Sequence, residues 1–166
     1  MLKHVMTKHG LLVLTFVVFA VLPAAYAQNF RGLNWNLNKD QVLEQETGFN
    51  FIAEMDSASA AGTDVVFAGE LAELDTRLIY FFDGEGSLYR VAYGFVEPRA
   101  DEATYTNDFE RVSNILRTSY GEPAVTDAWQ AEGYLAHTWE TADTIMIHAL
   151  LRTDTGFGHA IDLVKK

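Results

Sequence analysis

Short runs of β-branched and aromatic residues, separated by turn residues at strand-length intervals, constrain the fold of this 166-residue chain more than any other feature. Two sets of four runs are found, and most connections within each set are short enough to join antiparallel neighbours. The sequence therefore predicts antiparallel strands in both halves of the chain. The predicted strands lie at roughly 49–55, 65–71, 76–82 and 87–95, and at roughly 124–130, 134–140, 144–152 and 157–164.

The segment before the first set of runs carries the signals that begin and end a short helix. Asn38 can act as the N-cap, and Gln41 three residues later completes a capping box. Gly48 is a natural stop after Glu46 and Thr47. We therefore expect a short helix between Asn38 and Gly48.

A second, longer helix is predicted between the two sets of strands. Asn107 can act as its N-cap, with Glu110 at the third helical position. Gly121 and Pro123 follow where a C-cap glycine and a later proline are expected. The apolar stripe of this helix, at helical spacing, consists of Phe109, Val112, Ile115, Leu116 and Tyr120.

The order of helix, four strands, helix and four strands predicts an α+β protein built from two helix-plus-four-stranded antiparallel sheet units. It suggests a tandem repeat with halves at 28–97 and 104–166, packed together as one compact domain over 28–166. Residue identity between the halves is weak, so the repeat rests on element order alone.

The N-terminal residues predict export through a cleavable signal peptide at 1–27. The first nine residues hold two lysines and no acid, an apolar run follows at 11–22, and small residues at 25 and 27 place the cleavage before Gln28. A retained membrane anchor is the alternative, but the apolar run is shorter than the roughly 20 residues that a spanning helix needs. We therefore expect a periplasmic or secreted protein with no integral membrane segment after signal removal.

The net charge limits the classes of partner, and the absence of cysteine limits the sources of stability. Without the predicted leader, 10 basic and 23 acidic residues remain, which gives a net charge of −13. A chain this acidic repels polyanions, so nucleic acid is not an expected partner. The chain has no cysteine, so its stability must come from an apolar core without disulfides.

The residues around the first helix carry a resemblance to a known family. The run from Leu37 to Leu43, followed by Gly48, is similar to the helix opening of the SmpA/OmlA outer-membrane assembly lipoproteins. The tandem plan also resembles the β-lactamase-inhibitor-protein architecture. Both resemblances imply a non-catalytic protein-binding or envelope-associated module. The chain departs from the lipoprotein pattern because it lacks the lipidated cysteine and has Asn36 near where a glycine is usual.

Sequence motifs for catalysis are absent. The chain has no Gly-x-Ser-x-Gly, no cysteine nucleophile, no phosphate-binding loop and no His-Glu-x-x-His. We therefore predict that it is not an enzyme, and a hydrolase whose site is assembled only in space is the least favoured hypothesis. Acidic residues that could pair for acid–base chemistry, but that are equally typical of an acidic surface, are Glu70, Glu73, Asp75, Asp83 and Glu85.

Three histidines lie in the last three predicted strands and form the main candidate for a metal site. A two-residue turn at 141–142 would place His137 opposite Met146, and His148 would lie opposite Ile161. His137, His148 and His159 then share one face as diagonal neighbours, about 7–8 Å apart. This arrangement predicts zinc or copper binding as the alternative function. The apolar residues on the same face favour partly buried histidines with no cofactor.

The favoured function is a small exported module that binds another protein through a sheet surface. Apolar residues occupy both faces of several predicted strands, which implies a covering partner, a second sheet or a second copy of the chain. Trp139 is the predicted partner-binding residue, and we expect either the sheet face that carries it or the loop at 56–64 to take part.

Overall fold

The computed structural model describes residues 34–57, 62–124, 135–154 and 156–166. Seven of the eight predicted strands lie there close to their predicted bounds, whereas the predicted strand at 124–130 falls, apart from Ala124, outside the described residues. The elements in chain order are α1 (Lys39–Gln45), β1 (Asn50–Asp56), β2 (Thr63–Leu71), β3 (Leu74–Phe82), β4 (Leu88–Phe95), α2 (Glu102–Tyr120), β5 (Leu135–Glu140), β6 (Thr144–Thr153) and β7 (Gly156–Lys165).

All seven strands form one antiparallel sheet in the order β1-β2-β3-β4-β7-β6-β5. The predicted α+β architecture of two helix-plus-four-stranded units is therefore wrong. The two sets of strands merge through β4 and β7, which pair from Arg90 opposite Val164 to Phe95 opposite His159. This pairing covers two strand edges that separate sheets would leave open, and it produces one continuous core.

Helix α1 begins as predicted. The Asn38 side chain accepts a hydrogen bond from the Gln41 amide, and the Gln41 side chain accepts one from the Asn38 amide, which confirms the capping box. Just before the helix, Trp35 is buried and its Nε1 donates to Thr144 Oγ1 at 2.8 Å. The chain entering α1 is thereby held against β6.

Helix α2 begins earlier than predicted. Its N-cap is Asp101, which accepts a hydrogen bond from the Thr104 amide, and not Asn107. The extra turn brings the Tyr105 ring within 5.1 Å of the Phe157 ring on β7. The helix ends as predicted, because Gly121 adopts a φ of 78° and serves as the C-cap.

Both helices pack on the same face of the sheet. The alternation of side chains along each strand directs one set toward the helices, and on β3 all five of these residues are buried. No helix of the described residues covers the opposite face, which we call the helix-free face. Among the apolar residues there, Val66 and Ala136 are buried. Others are half-buried, including Ile79, Ala92, Ile145, Ile147, Ala149, Ala160 and Val164.

Candidate functional site

The three predicted histidines lie side by side on the helix-covered face of β5, β6 and β7. His137 is directly opposite His148, and His159 is opposite Leu150, two residues along β6. The shared face was therefore predicted correctly. The hairpin register was not, since Trp139 pairs with Met146 and not with Thr144.

The longer β5–β6 turn explains the register. The Asp143 carboxylate accepts hydrogen bonds from the hydroxyls of Thr141 and Thr144, and the Thr141 amide donates to the Thr144 carbonyl. This closed loop moves the pairing by two residues from the two-residue turn that was expected. Because side chains alternate with a period of two, the shift leaves every histidine on its predicted face.

A serine from α2 joins the histidines into one hydrogen-bonded chain. Ser113 Oγ lies 2.9 Å from His137 Nδ1 and 3.0 Å from His148 Nδ1, and His148 Nε2 lies 2.8 Å from His159 Nε2. We call these four residues the histidine chain. Sequence reasoning missed Ser113, although a polar residue four positions after Phe109, inside the apolar stripe of α2, marks a buried polar site.

Aromatic rings enclose the histidine chain. Phe109 stacks on His148 with ring centroids 4.2 Å apart and planes 11° apart, and Phe95 stacks on His159 at 4.1 Å. Ser113 and His148 are fully buried, and His159 is nearly so. The histidine chain therefore lies in an apolar environment, and its polar atoms depend on one another for hydrogen bonds.

Burial governs the charge state of these histidines. It holds the pKa of His148 well below its usual value, and the nearby His159 and His137 lower it further. Burial also lowers the pKa of His159 to about 4 and shifts the pKa of His137 downward, with Arg117 adding to the effect at His137. All three rings are therefore neutral at neutral pH.

This geometry does not bring the three histidines onto one metal. A shared zinc would need one nitrogen from each ring at about 2.0–2.1 Å from a common point. His148 instead contacts Ser113 with its Nδ1 and His159 with its Nε2, so its two nitrogens do not point to a common site. Among the described residues, no group of three or more histidine or acidic side chains is arranged to hold a metal ion. Zinc or copper binding stays a prediction without geometric support.

The other predicted residues have structural roles. Trp139 is only 4% exposed, and its Nε1 donates to the Gly121 carbonyl at 2.9 Å, so it ties the end of α2 to β5 and does not lie at the surface. The Asp83 carboxylate accepts hydrogen bonds from the amides of Glu85 and Ser87 within a turn. Of the predicted loop at 56–64, residues 58–61 lie outside the described part of the chain.

Exposed apolar side chains are concentrated on β1, which lies at one end of the sheet. Phe51, Ile52 and Met55 are 54%, 46% and 49% exposed, and they make up half of the six large apolar side chains exposed among the described residues. We call these three residues the apolar edge. The remaining three, Val96, Ile115 and Leu135, belong to other parts of the molecule.

The apolar edge extends over both faces of the sheet. The Phe51 ring packs edge-on against Phe67 on the helix-covered face, with ring centroids 5.9 Å apart. Met55 pairs with Asp64, whose side chain points to the helix-free face. Ile52 falls at the register shift between Phe51 and Ala53. A β-bulge of this kind re-aims a side chain and twists the strand.

The two ends of the sheet differ. At the β5 end, the Ala124 amide donates a hydrogen bond to the Thr138 carbonyl of β5 at 2.9 Å. Strand β1 pairs only with β2 among the described strands. Its sequence carries Glu54 and Asp56 and no basic residue, while Lys39 of α1 forms an ion pair with Glu54 at 2.5 Å.

Comparisons with protein-family models, with curated proteins and with solved structures give no match for this chain. Neither helix within the described ranges is long and apolar enough to cross a membrane.

Proposed function

We propose that this chain is a small exported protein-binding module, without catalysis of its own, that takes up an extended segment of a partner protein along strand β1. One observation supports it above all others: the strand at the end of the sheet exposes about half of each of its three large apolar side chains. Leader-like residues at the N-terminus support the exported location, and the resemblance to envelope-associated modules supports the class of function.

A strand at a sheet edge presents backbone amides and carbonyls to any extended chain of suitable length. Proteins that do not use such an edge usually protect it with lysines, prolines or a covering segment. Strand β1 has neither lysine nor proline, and the features it carries that can hinder strand addition are its bulge at Ile52 and the carboxylates of Glu54 and Asp56. An added strand would form main-chain hydrogen bonds along β1 and cover Phe51 and Met55 from the two faces.

The charge around β1 indicates the chemistry of the partner. Glu54 and Asp56 lie in the strand itself, Asp40 lies in the adjacent α1, and the whole chain is strongly acidic. A partner strand that alternates basic and apolar residues would match both the acidic groups and the apolar edge. Opposite charge would also speed the encounter, most strongly at low salt.

Binding of defined peptides tests the proposal. The probes are fluorescent eight-residue peptides that alternate lysine with valine, the same peptide with glutamate in place of lysine, and a lysine–valine peptide with two central valines replaced by proline. The alternating basic peptide is expected to bind, and the proline version to bind at least tenfold more weakly because it cannot form a strand. Equal binding of the two basic peptides would contradict strand addition, since charge alone would then account for it.

A matched pair of variants locates the binding surface. Replacing both Ile52 and Met55 by serine is expected to weaken binding of the basic peptide about tenfold, which corresponds to roughly 1.4 kcal/mol. Ile115→Ser removes an exposed apolar side chain of the same kind from α2 and should leave binding unchanged. An equal loss in both variants would contradict a site at β1.

A further inference from the structure

The histidine chain admits only a few arrangements of its hydrogen atoms. Each neutral histidine carries one hydrogen on Nδ1 or Nε2, and the serine hydroxyl carries one more. Ser113 Oγ has the two Nδ1 atoms as its only hydrogen-bonding partners among the described residues. The hydroxyl must therefore donate to one ring and accept from the other.

Two arrangements place one hydrogen in every contact and also give the Ser113 hydroxyl hydrogen an acceptor. If Ser113 donates to His137, then His148 must carry its hydrogen on Nδ1, and His159 must supply the hydrogen that lies between the two Nε2 atoms. If Ser113 donates to His148, then His137 carries its hydrogen on Nδ1 and His148 carries its own on Nε2. In both cases, three contacts of 2.8–3.0 Å hold one hydrogen each.

From this geometry we infer that Ser113 couples the three histidines into a two-state switch. In each state His137 and His159 have the same tautomer, and His148 has the opposite one. Hydrogens in all three contacts reverse together. Any other arrangement would leave a contact with two hydrogens or with none, or would leave the Ser113 hydroxyl hydrogen without an acceptor, and a buried polar group without a partner costs about 1–3 kcal/mol.

His137 lies at the end of the histidine chain where an outside group can select one of the two tautomeric states. His137 is half-buried on the strand at the sheet edge, and its Nε2 is the nitrogen of this ring that takes no part in the contacts of the histidine chain. A group that donates a hydrogen bond to this nitrogen would favour the arrangement with hydrogen on Nδ1, and an accepting group would favour the other. The state chosen at His137 is thus transmitted to His159 across two strands.

Charged groups near the histidine chain favour a switch between neutral tautomers over a switch between neutral and protonated rings. Around His159, the Asp108 carboxylate favours the protonated ring, whereas Arg111 and Arg99, which bind that carboxylate at 2.5 and 2.6 Å, oppose it. Around His137, Glu110 and Glu122 are opposed by Arg117, which also acts on His148. Opposing charges at both ends, together with burial, leave the rings neutral while their tautomers remain free to change.

Nitrogen-15 NMR of the histidine rings at pH 7.5 tests the inference directly, because the shifts of the two ring nitrogens distinguish the tautomers. His4 and His9 are replaced by glutamine in every sample so that only the histidine chain is observed. His137 and His159 are expected to show one tautomer and His148 the other, or all three are expected to average between the two with the same rate. Matching tautomers at His137 and His148 would overturn the inference.

The Ser113→Ala variant tests the coupling. His148 and His159 are expected to keep opposite tautomers, since their direct contact remains, whereas His137 should lose its fixed relation to them. Ser119→Ala, an exposed serine on the same helix, should change nothing. If Ser113→Ala fails to fold, His137→Leu removes the ring at the half-buried end, and the tautomer populations of His148 and His159 should then change together, whereas populations unchanged from the parent would overturn the coupling. An unchanged His137 in folded Ser113→Ala would overturn the coupling.

Discussion

The Nε2 atoms of His148 and His159 lie 2.8 Å apart inside the core. At this separation the two rings share one hydrogen, so the two rings cannot both be charged without breaking the contact. The Ser113 hydroxyl joins α2 to His137 of β5 and His148 of β6, and the contact between His148 and His159 continues the chain of hydrogen bonds to β7. Stability of this half of the sheet is therefore tied to the protonation of buried imidazoles.

Acid is expected to destabilise the fold between pH 6.5 and pH 4. The pKa of His159 is about 4 in the folded protein and close to 6.5 when unfolded, so in this window only the unfolded chain binds the proton. The free energy of unfolding should fall by up to about 3 kcal/mol as pH drops through the window, and this contribution should level off below pH 4. Urea unfolding at pH 7 and pH 4.5 measures it.

The pH effect must depend on the histidine itself. His159→Gln is expected to lower the stability at pH 7 but to weaken its pH dependence between pH 6.5 and pH 4.5, leaving the part that the buried His148 and His137 contribute. The same loss of stability with pH in this variant and in the parent protein would contradict the assignment to His159.

Removing the Ser113 hydroxyl should destabilise the protein by about 1–3 kcal/mol, because two buried ring nitrogens lose their shared partner. The measurement is urea unfolding of Ser113→Ala beside Ser119→Ala. Ser119 is exposed, and its hydroxyl donates only to the Ile115 carbonyl of its own helix, so its removal should cost less than about 0.5 kcal/mol. Equal costs would show that the histidine chain does not depend on the serine.

The β1–β2 connection should not tolerate a side chain at Gly62. A Cβ placed there would lie 1.9 Å from the Phe82 carbonyl oxygen, and the obstacle is backbone, which cannot move aside cheaply. Gly62→Ala is expected to cost about 2 kcal/mol or more, whereas Gly94→Ala, where a Cβ meets nothing within 4 Å, should stay within about 1 kcal/mol. Thermal unfolding of both variants, each compared with the parent, decides it.

Much of the local structure was predictable because its causes are local. The capping box of Asn38 and Gln41, the stop at Gly121 and seven strand segments follow from side chains within a few residues of each other. The start of α2 was not, since both Asp101 and Asn107 can cap a helix. Packing of Tyr105 on Phe157, 52 residues later, accompanies the longer helix.

Long-range pairing set the limits of the sequence prediction. Nothing in the runs themselves indicates that β4 pairs with β7, which turns two expected units into one sheet. The face of each histidine was predictable from alternation, but the hydrogen-bonded contacts depend on Ser113 arriving from α2. Exposure of Phe51, Ile52 and Met55 was likewise hidden, because a sequence does not show which strand ends a sheet.

Hydrogen exchange along β1 tests the central claim of strand addition most directly. In a complex saturated with the alternating lysine–valine peptide, amides of β1 that are not bonded to β2 should exchange at least tenfold more slowly, while those of β5 at the other end of the sheet should not change. The paired variant with serine at Ile52 and Met55 should lose this protection at the same peptide concentration. Unchanged exchange throughout β1 with the peptide bound would contradict the proposed function.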